Sequence, residues 1–132
     1  MRLDDLYLVD IIEANALIVS MLGDASFDVF KLDEKLVAAV ELKLIIMGEA
    51  LSAMKSETRD KLDAVLVRRI RAVRNRIVHG YFTLNPSFVF VNSTRHAPRL
   101  AKAAEKVLSE LFPETSRRLE DRRDGGQSGD AT

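Results

Sequence analysis

Leu62-Asp63-Ala64-Val65-Leu66-Val67-Arg68-Arg69-Ile70-Arg71-Ala72-Val73-Arg74-Asn75-Arg76-Ile77-Val78 is the stretch on which the fold class turns. Leu62, Leu66, Ile70, Val73 and Ile77 recur at gaps of four, four, three and four, which returns them to one side of a 3.6-residue helix. The spacing predicts an amphipathic helix with that stripe against a core. Away from the stripe stand Arg68, Arg71, Asn75 and His79, a polar, basic edge ending in an imidazole. A purely structural account exists for this end of the helix. Arginines near a helix C-terminus complement its dipole, and Gly80 fits a left-handed residue just past the end.

The charge distribution asks for more than that. Residues 1–63 carry seven Lys/Arg against thirteen Asp/Glu, a net of −6, and residues 105–132 carry five against seven, a net of −2. Residues 64–104 carry eight Lys/Arg and no acid, a net of +8, so the formal charge of zero hides a basic middle. A solvated helix usually mixes signs to gain i,i+4 pairs. Arginines gathered around a titratable group instead suggest an anionic ligand, phosphate first.

With 132 residues the chain suits one compact domain. It has no cysteine, which removes disulfides, thiol nucleophiles and thiolate metal sites, and its two histidines, His79 and His96, lack zinc-motif spacing. No apolar run approaches the roughly 18–20 residues of a membrane span, and the acidic N-terminal segment does not resemble a signal peptide. The expectation is a soluble cytoplasmic protein that binds no metal and does not enter a membrane.

Leu3 to Leu22 reads as a first helix, with Leu8, Ile11, Ile12, Ile18, Val19 and Leu22 on its apolar side and Gly23-Asp24 as its stop. Ser26 to Phe30 reads as a short turn packed by Phe27 and Phe30. Asp33 is a fitting N-cap for a second helix reaching Met54, striped by Val37, Val40, Leu44, Met47, Leu51 and Met54. Gly48 interrupts it at a cost of about 1 kcal/mol, for which a close helix crossing is the economical reason. Glu49 is a solvated charge or a partner for the arginine-rich helix. Ser56 or Thr58 could cap the third helix. Asn85-Pro86 pairs an N-cap with proline at the first helical position, so a fourth helix is expected from Pro86, although Phe88 to Val91 also allow a short strand. Pro98 should kink or restart that helix before Leu100 to Phe112. Pro113 then marks the end of a domain spanning residues 1–113, and residues 114–132 read as a disordered tail, rich in glycine and almost without large apolar side chains after Arg117. Four helices on short links predict an all-α, antiparallel up-and-down four-helix bundle.

Histidine is the side chain here whose ordinary pKa suits proton transfer near neutrality, and arginine can stabilise charge growing on phosphate through its fork of donors. Such a pair is the minimum set for cleaving RNA through its own 2′-hydroxyl. Arg74 and His79 lie five positions apart, about 140° around a regular helix, so they could border a cleft only at its end. Asn75 could orient His79, and Arg68, Arg71 and Arg76 are candidate phosphate contacts or substrate-orienting groups. One histidine does not easily serve as both base and acid in one turnover. A twofold dimer would bring two imidazoles to a shared cleft.

Arg74-Asn-Arg-Ile-Val-His79-Gly-Tyr81 resembles the signature of HEPN-domain proteins: arginine, four residues, histidine, one residue, tyrosine. More narrowly it is similar to the HepT-like ribonuclease toxins, and Glu41 to Ala50 resembles that family's second helix. The resemblance spans roughly residues 3–112. It implies a HEPN-type helical homodimer with Arg74 and His79 at a composite, metal-independent endoribonuclease site, acting as the toxin of a type VII toxin–antitoxin pair. It also implies an MNT-type nucleotidyltransferase antitoxin that uses ATP and magnesium to transfer AMP to Tyr81, while the toxin itself needs no cofactor. One departure is the fourth helix, which has Phe88 and Phe90 where the family often has an early tryptophan. Two other readings compete: a non-catalytic HEPN module that binds nucleotide or the partner enzyme, and a purely structural helical dimer. Retention of both Arg74 and His79 favours the enzyme.

Overall fold

The computed structural model describes residues 2–130, with side chains described through residue 126. The fold is all-α, and no strand occurs among the described residues. Its helices are α1 (Asp4–Leu22), α2 (Phe27–Leu32), α3 (Glu34–Ala53), α4 (Ser56–Arg59), α5 (Ala64–His79), α6 (Pro86–Val91), α7 (Ala97–Leu111) and α8 (Pro113–Asp130). A 3₁₀ turn, Tyr81–Thr83, follows α5, and a π turn, Asn92–His96, joins α6 to α7.

The caps follow from local chemistry. Asp33 accepts from the Leu36 amide at 3.1 Å and starts α3, as its position predicted. Asn85 accepts from the Ser87 amide at 2.9 Å, with Pro86 beginning α6, so Phe88 to Val91 are helical rather than a strand. The cap of α5 is Asp63, accepting from Val65 and Leu66 at 2.8 and 3.2 Å, and not Ser56 or Thr58. Those two belong to the single turn α4 instead. Thr58 donates its hydroxyl to buried Asp4 at 2.5 Å, and the Lys55 amide donates to the same carboxylate. Asp4 therefore satisfies the start of α4 as well as favouring its own helix dipole. The expected turn after Gly23 is the helix α2, capped by Ser26, whose Phe30 packs with Phe27 around the Phe90 ring of α6.

α3 packs between α1 and α5, while α7 lies on α1 and reaches α5. The stripe Leu62, Leu66, Ile70, Val73 and Ile77 is buried throughout. It meets Val40, Leu44, Met47 and Leu51 of α3, Leu8, Ile11, Ile12 and Ile18 of α1, and Leu100 and Leu108 of α7 in one continuous core.

Pro98 sits in the first turn of α7, just after the π turn. Proline removes one backbone donor and crowds the carbonyl four residues back, and a wider turn accommodates both effects without a break. Side chains add to the hydrogen bonding of the turn: Thr94 and Ser93 hydroxyls donate to the Phe90 carbonyl at 2.8 and 3.0 Å, and the Asn92 amide donates to the Phe88 carbonyl at 2.8 Å.

The reading of residues 114–132 as a disordered tail is corrected over the described part. Pro113 opens α8 rather than closing the domain, because a helix tolerates proline at its first position. Leu119 buries itself in the core. Thr115 donates to Asp5 at 2.7 Å, Arg122 pairs with Glu13 at 3.2 Å and Arg123 with Glu105 at 3.4 Å. One leucine and a few polar ties give almost no periodic signal, which is why the helix does not show in the apolar pattern. Residues 131–132 of that stretch lie outside the described residues.

Candidate active site

Arg74 is positioned by a helix crossing. A Cβ on Gly48 of α3 would lie 2.5 Å from Arg74 Cβ, 2.9 Å from Arg74 Cγ and 3.4 Å from the Ile70 carbonyl oxygen. Only glycine lets α5 approach this closely, which is the reason the sequence suggested for Gly48. The next residue, Glu49, then meets the guanidinium: Arg74 Nε and Nη2 lie 2.7 and 2.6 Å from Glu49 Oε1. Arg74 Nη1 donates to Asn75 Oδ1 at 3.1 Å. Glu49 is thus a partner of the arginine helix rather than only a solvated charge. A half-exposed ion pair of this kind is worth only about 0–1 kcal/mol of stability, so its main effect is to fix orientation. The Arg74 side chain keeps 28% of its surface exposed.

His79 is the last residue of α5 and is exposed. Gly80 is not left-handed: its φ is −123°, and the sole positive-φ glycine among the described residues is Gly23 at 53°. A Cβ at 80 would lie 3.1 Å from the Arg76 carbonyl oxygen, a tight contact that glycine avoids. α5 runs without interruption through both Arg74 and His79, so the two side chains leave it about 140° apart. Asn75 makes its hydrogen bond to Arg74, and Arg68 and Arg71 are exposed. Arg76 turns toward α6, its guanidinium carbon 4.4 Å from the centre of the Phe88 ring.

Tyr81 opens the 3₁₀ turn directly beyond the histidine. It is 62% exposed and its neighbour Phe82 98% exposed, so neither packs in the core, although their rings meet edge to face at 5.7 Å. Tyr81 also borders a cleft of about 490 Å³ with Lys31, Glu34, Val37, Glu41, Ile77 and Pro86. Burial there raises the pKa of Glu41 above the ordinary carboxylate value. That placement was not expected: in sequence Glu41 is one acid on a broad apolar helix, with nothing to mark it. Among the described residues, no three His, Cys, Asp or Glu side chains are grouped to hold a metal ion. No helix among them is long and apolar enough to cross a membrane.

Comparison with known proteins places the chain in a family. The family model described as ribonuclease HepT-like matches residues 11–107. A protein of Caldanaerobacter subterraneus subsp. tengcongensis, named as a candidate RNase, is 28% identical over 102 residues, covering 77% of this chain and 91% of its own. Two Methanocaldococcus jannaschii proteins, also named as candidate RNases, are 26% and 23% identical over 105 residues each. These cover 80% of this chain and 87% and 90% of their own lengths. No solved structure matches significantly. With the helical fold, the Arg74–His79 helix and a family match over most of its length, the chain belongs to the HepT-like ribonuclease family.

Proposed function

We propose that the protein is a metal-independent endoribonuclease toxin that works as a HEPN-type four-helix-bundle homodimer in the cytoplasm. The observation that carries this reading is the oriented Arg74 fork, held by Glu49 and Asn75 on the helix that ends in exposed His79. The 2′-hydroxyl of RNA attacks the adjacent phosphorus as His79 of one subunit takes its proton. The bond to the 5′-oxygen breaks, and that oxygen takes a proton from the imidazolium of the second subunit. Products are a 2′,3′-cyclic phosphate and a 5′-hydroxyl. Arg74 stabilises the charge gathered on the phosphoryl oxygens, and Arg68, Arg71 and Arg76 hold flanking phosphates. The divergence of Arg74 and His79 by about 140° supports the shared cleft, because a second copy supplies groups that one helix end holds apart. Tyr81 is the control point. An MNT-type nucleotidyltransferase, using ATP and magnesium, transfers AMP to its exposed hydroxyl, and the added phosphodiester occupies the site meant for RNA.

Cleavage of total RNA in EDTA by purified, unmodified protein tests the reading. Arg74→Ala should slow it by about 10²–10³ and His79→Ala by about 10²–10⁴. Intact RNA after incubation with the wild type would leave a non-catalytic binding module as the better account.

A further inference from the structure

The basic middle of the chain does not end at the Arg74–His79 helix. The π turn and the start of α7 pack on α5, and this joint gathers Arg69 from α5, Arg95 and His96 from the turn, and Arg99 from α7. Arg69, Arg95 and Arg99 are exposed, and Lys102 and Lys106 continue the row from Arg99 at spacings of three and four along α7. From Arg99 to Lys106 that row runs about 10 Å. None of Arg69, Arg95, Arg99, Lys102 or Lys106 forms an ion pair among the described residues, whereas Arg118, Arg122 and Arg123 of α8 find Glu114, Glu13 and Glu105. Lys102 and Lys106 also border Glu105 and Glu120, while the fold places Arg69, Arg95 and Arg99 side by side without an ion-pair partner among the described residues. His96 at their centre registers the crowding: burial first, then Arg69, Arg99 and Arg95, hold its pKa below the ordinary imidazole value. Its Nδ1 is buried and makes no hydrogen bond among the described residues.

We infer that Arg69, Arg95 and Arg99, extended by Lys102 along α7, form a second anion site that binds the phosphate backbone of single-stranded RNA outside the Arg74–His79 site. Two observations favour RNA over an acidic protein surface. Arg95, Arg99, Lys102 and Lys106 follow one another at spacings of four, three and four along the π turn and α7, a series that suits a repeating polyanion. The row also joins α5 at Arg69, seven residues before Arg76 on nearly the same edge of that helix, so it leads toward His79. A strand held there would be delivered to the helix end. This inference rests on the RNA-acting reading above, but binding and cleavage can be separated.

The test is fluorescence anisotropy of the full chain with a labelled 2′-O-methyl RNA 20-mer, which lacks the attacking hydroxyl, across a salt series. Replacing Arg69, Arg95 and Arg99 together by Gln should weaken binding roughly tenfold or more and reduce the slope of log K against log salt by about 2, near 0.7 per lost contact. The melting temperature should stay at or above that of the wild type, because repulsion has been removed. A matched triple change, Lys35, Lys55 and Lys61 to Gln, should shift binding less than twofold. Unchanged affinity in a folded arginine variant overturns the site, as does an equal loss in the lysine control. Tighter binding of poly-glutamate than of RNA, lost in the arginine variant, would assign the surface to an acidic protein. Release of RNA by millimolar inorganic phosphate, beyond that caused by chloride at equal ionic strength, would assign a free-phosphate pocket. Loss of RNA binding alongside an absence of cleavage by wild type would retain this site while sinking the catalytic reading.

Discussion

Gly48 shows how one missing methyl group sets the geometry of a site. Arg74 Cβ is fixed to the backbone and cannot swing aside, so a Cβ 2.5 Å away must push α3 and α5 apart. Overpacking costs about 1–3 kcal/mol, against a gain of about 1 kcal/mol from replacing a mid-helix glycine with alanine. Gly48→Ala should therefore destabilise the protein by up to about 2 kcal/mol in denaturant melts. RNA cleavage at a temperature where the variant is folded should fall further than stability does. Glu49→Gln separates the two effects: stability should change by less than about 1 kcal/mol, while loss of the oriented pair lowers kcat roughly tenfold. Unchanged kcat would show that Arg74 needs no such support. His96 makes a prediction about pH. Its folded pKa is depressed below the ordinary 6.5 by burial and by Arg69, Arg99 and Arg95, so the unfolded chain binds the proton more readily. Its contribution to stability is present above pH 6.5 and is lost as pH falls from there through the folded value. The groups around it on α5, the turn and α7 are cations, which makes the sign firm. Unfolding free energy should drop between pH 7.5 and 5.5, and His96→Asn should make that drop smaller. An identical pH dependence in the variant would place the titration elsewhere.

At the scale of elements, α8 and the α6–α7 joint depart most from a plain reading of the pattern. α8 holds to α1 and α7 through Leu119, the Thr115–Asp5 hydrogen bond and two exposed ion pairs. Burial of a leucine is worth about 1.5–3 kcal/mol, and each exposed pair at most about 1. Leu119→Ala should cost about 2 kcal/mol by thermal unfolding, as much as the polar ties together. Loss of less than about 0.5 kcal/mol would mean that α8 is not seated on the core. The buried stripe of α5 is the opposite case, local to the sequence that forms it, although its cap is Asp63 and not Ser56 or Thr58.

On the scale of the molecule, the separation of Arg74 from His79 along α5 makes assembly a functional matter. Light scattering of the purified chain at micromolar concentration should give the mass of two protomers, and a single-protomer mass would remove the shared cleft. The exposed Tyr81–Phe82 pair lies at that same end. Co-expression with a nucleotidyltransferase partner should add AMP mass to the peptide containing Tyr81, and Tyr81→Phe should abolish the addition while leaving the toxin active. Equal neutralisation of Tyr81→Phe without modification would point to simple complex formation.

By itself the sequence determined the all-α class, the buried stripe of α5, the caps at Asp33 and Asn85, and the need for a close crossing at Gly48. These are short-range matters, fixed by periodicity and by which residues satisfy free helix amides. The family, too, was legible in Arg74 and His79. Tertiary structure alone decided that Glu49 holds Arg74, that Asp4 closes onto Thr58 and Lys55, and that Arg69, Arg95 and Arg99 gather around His96. It also turned the stretch after Pro113 into a packed helix. Each of these depends on contacts between distant residues, and a lone carboxylate, one leucine or an unpaired arginine carries no periodic signal of the neighbour it will meet.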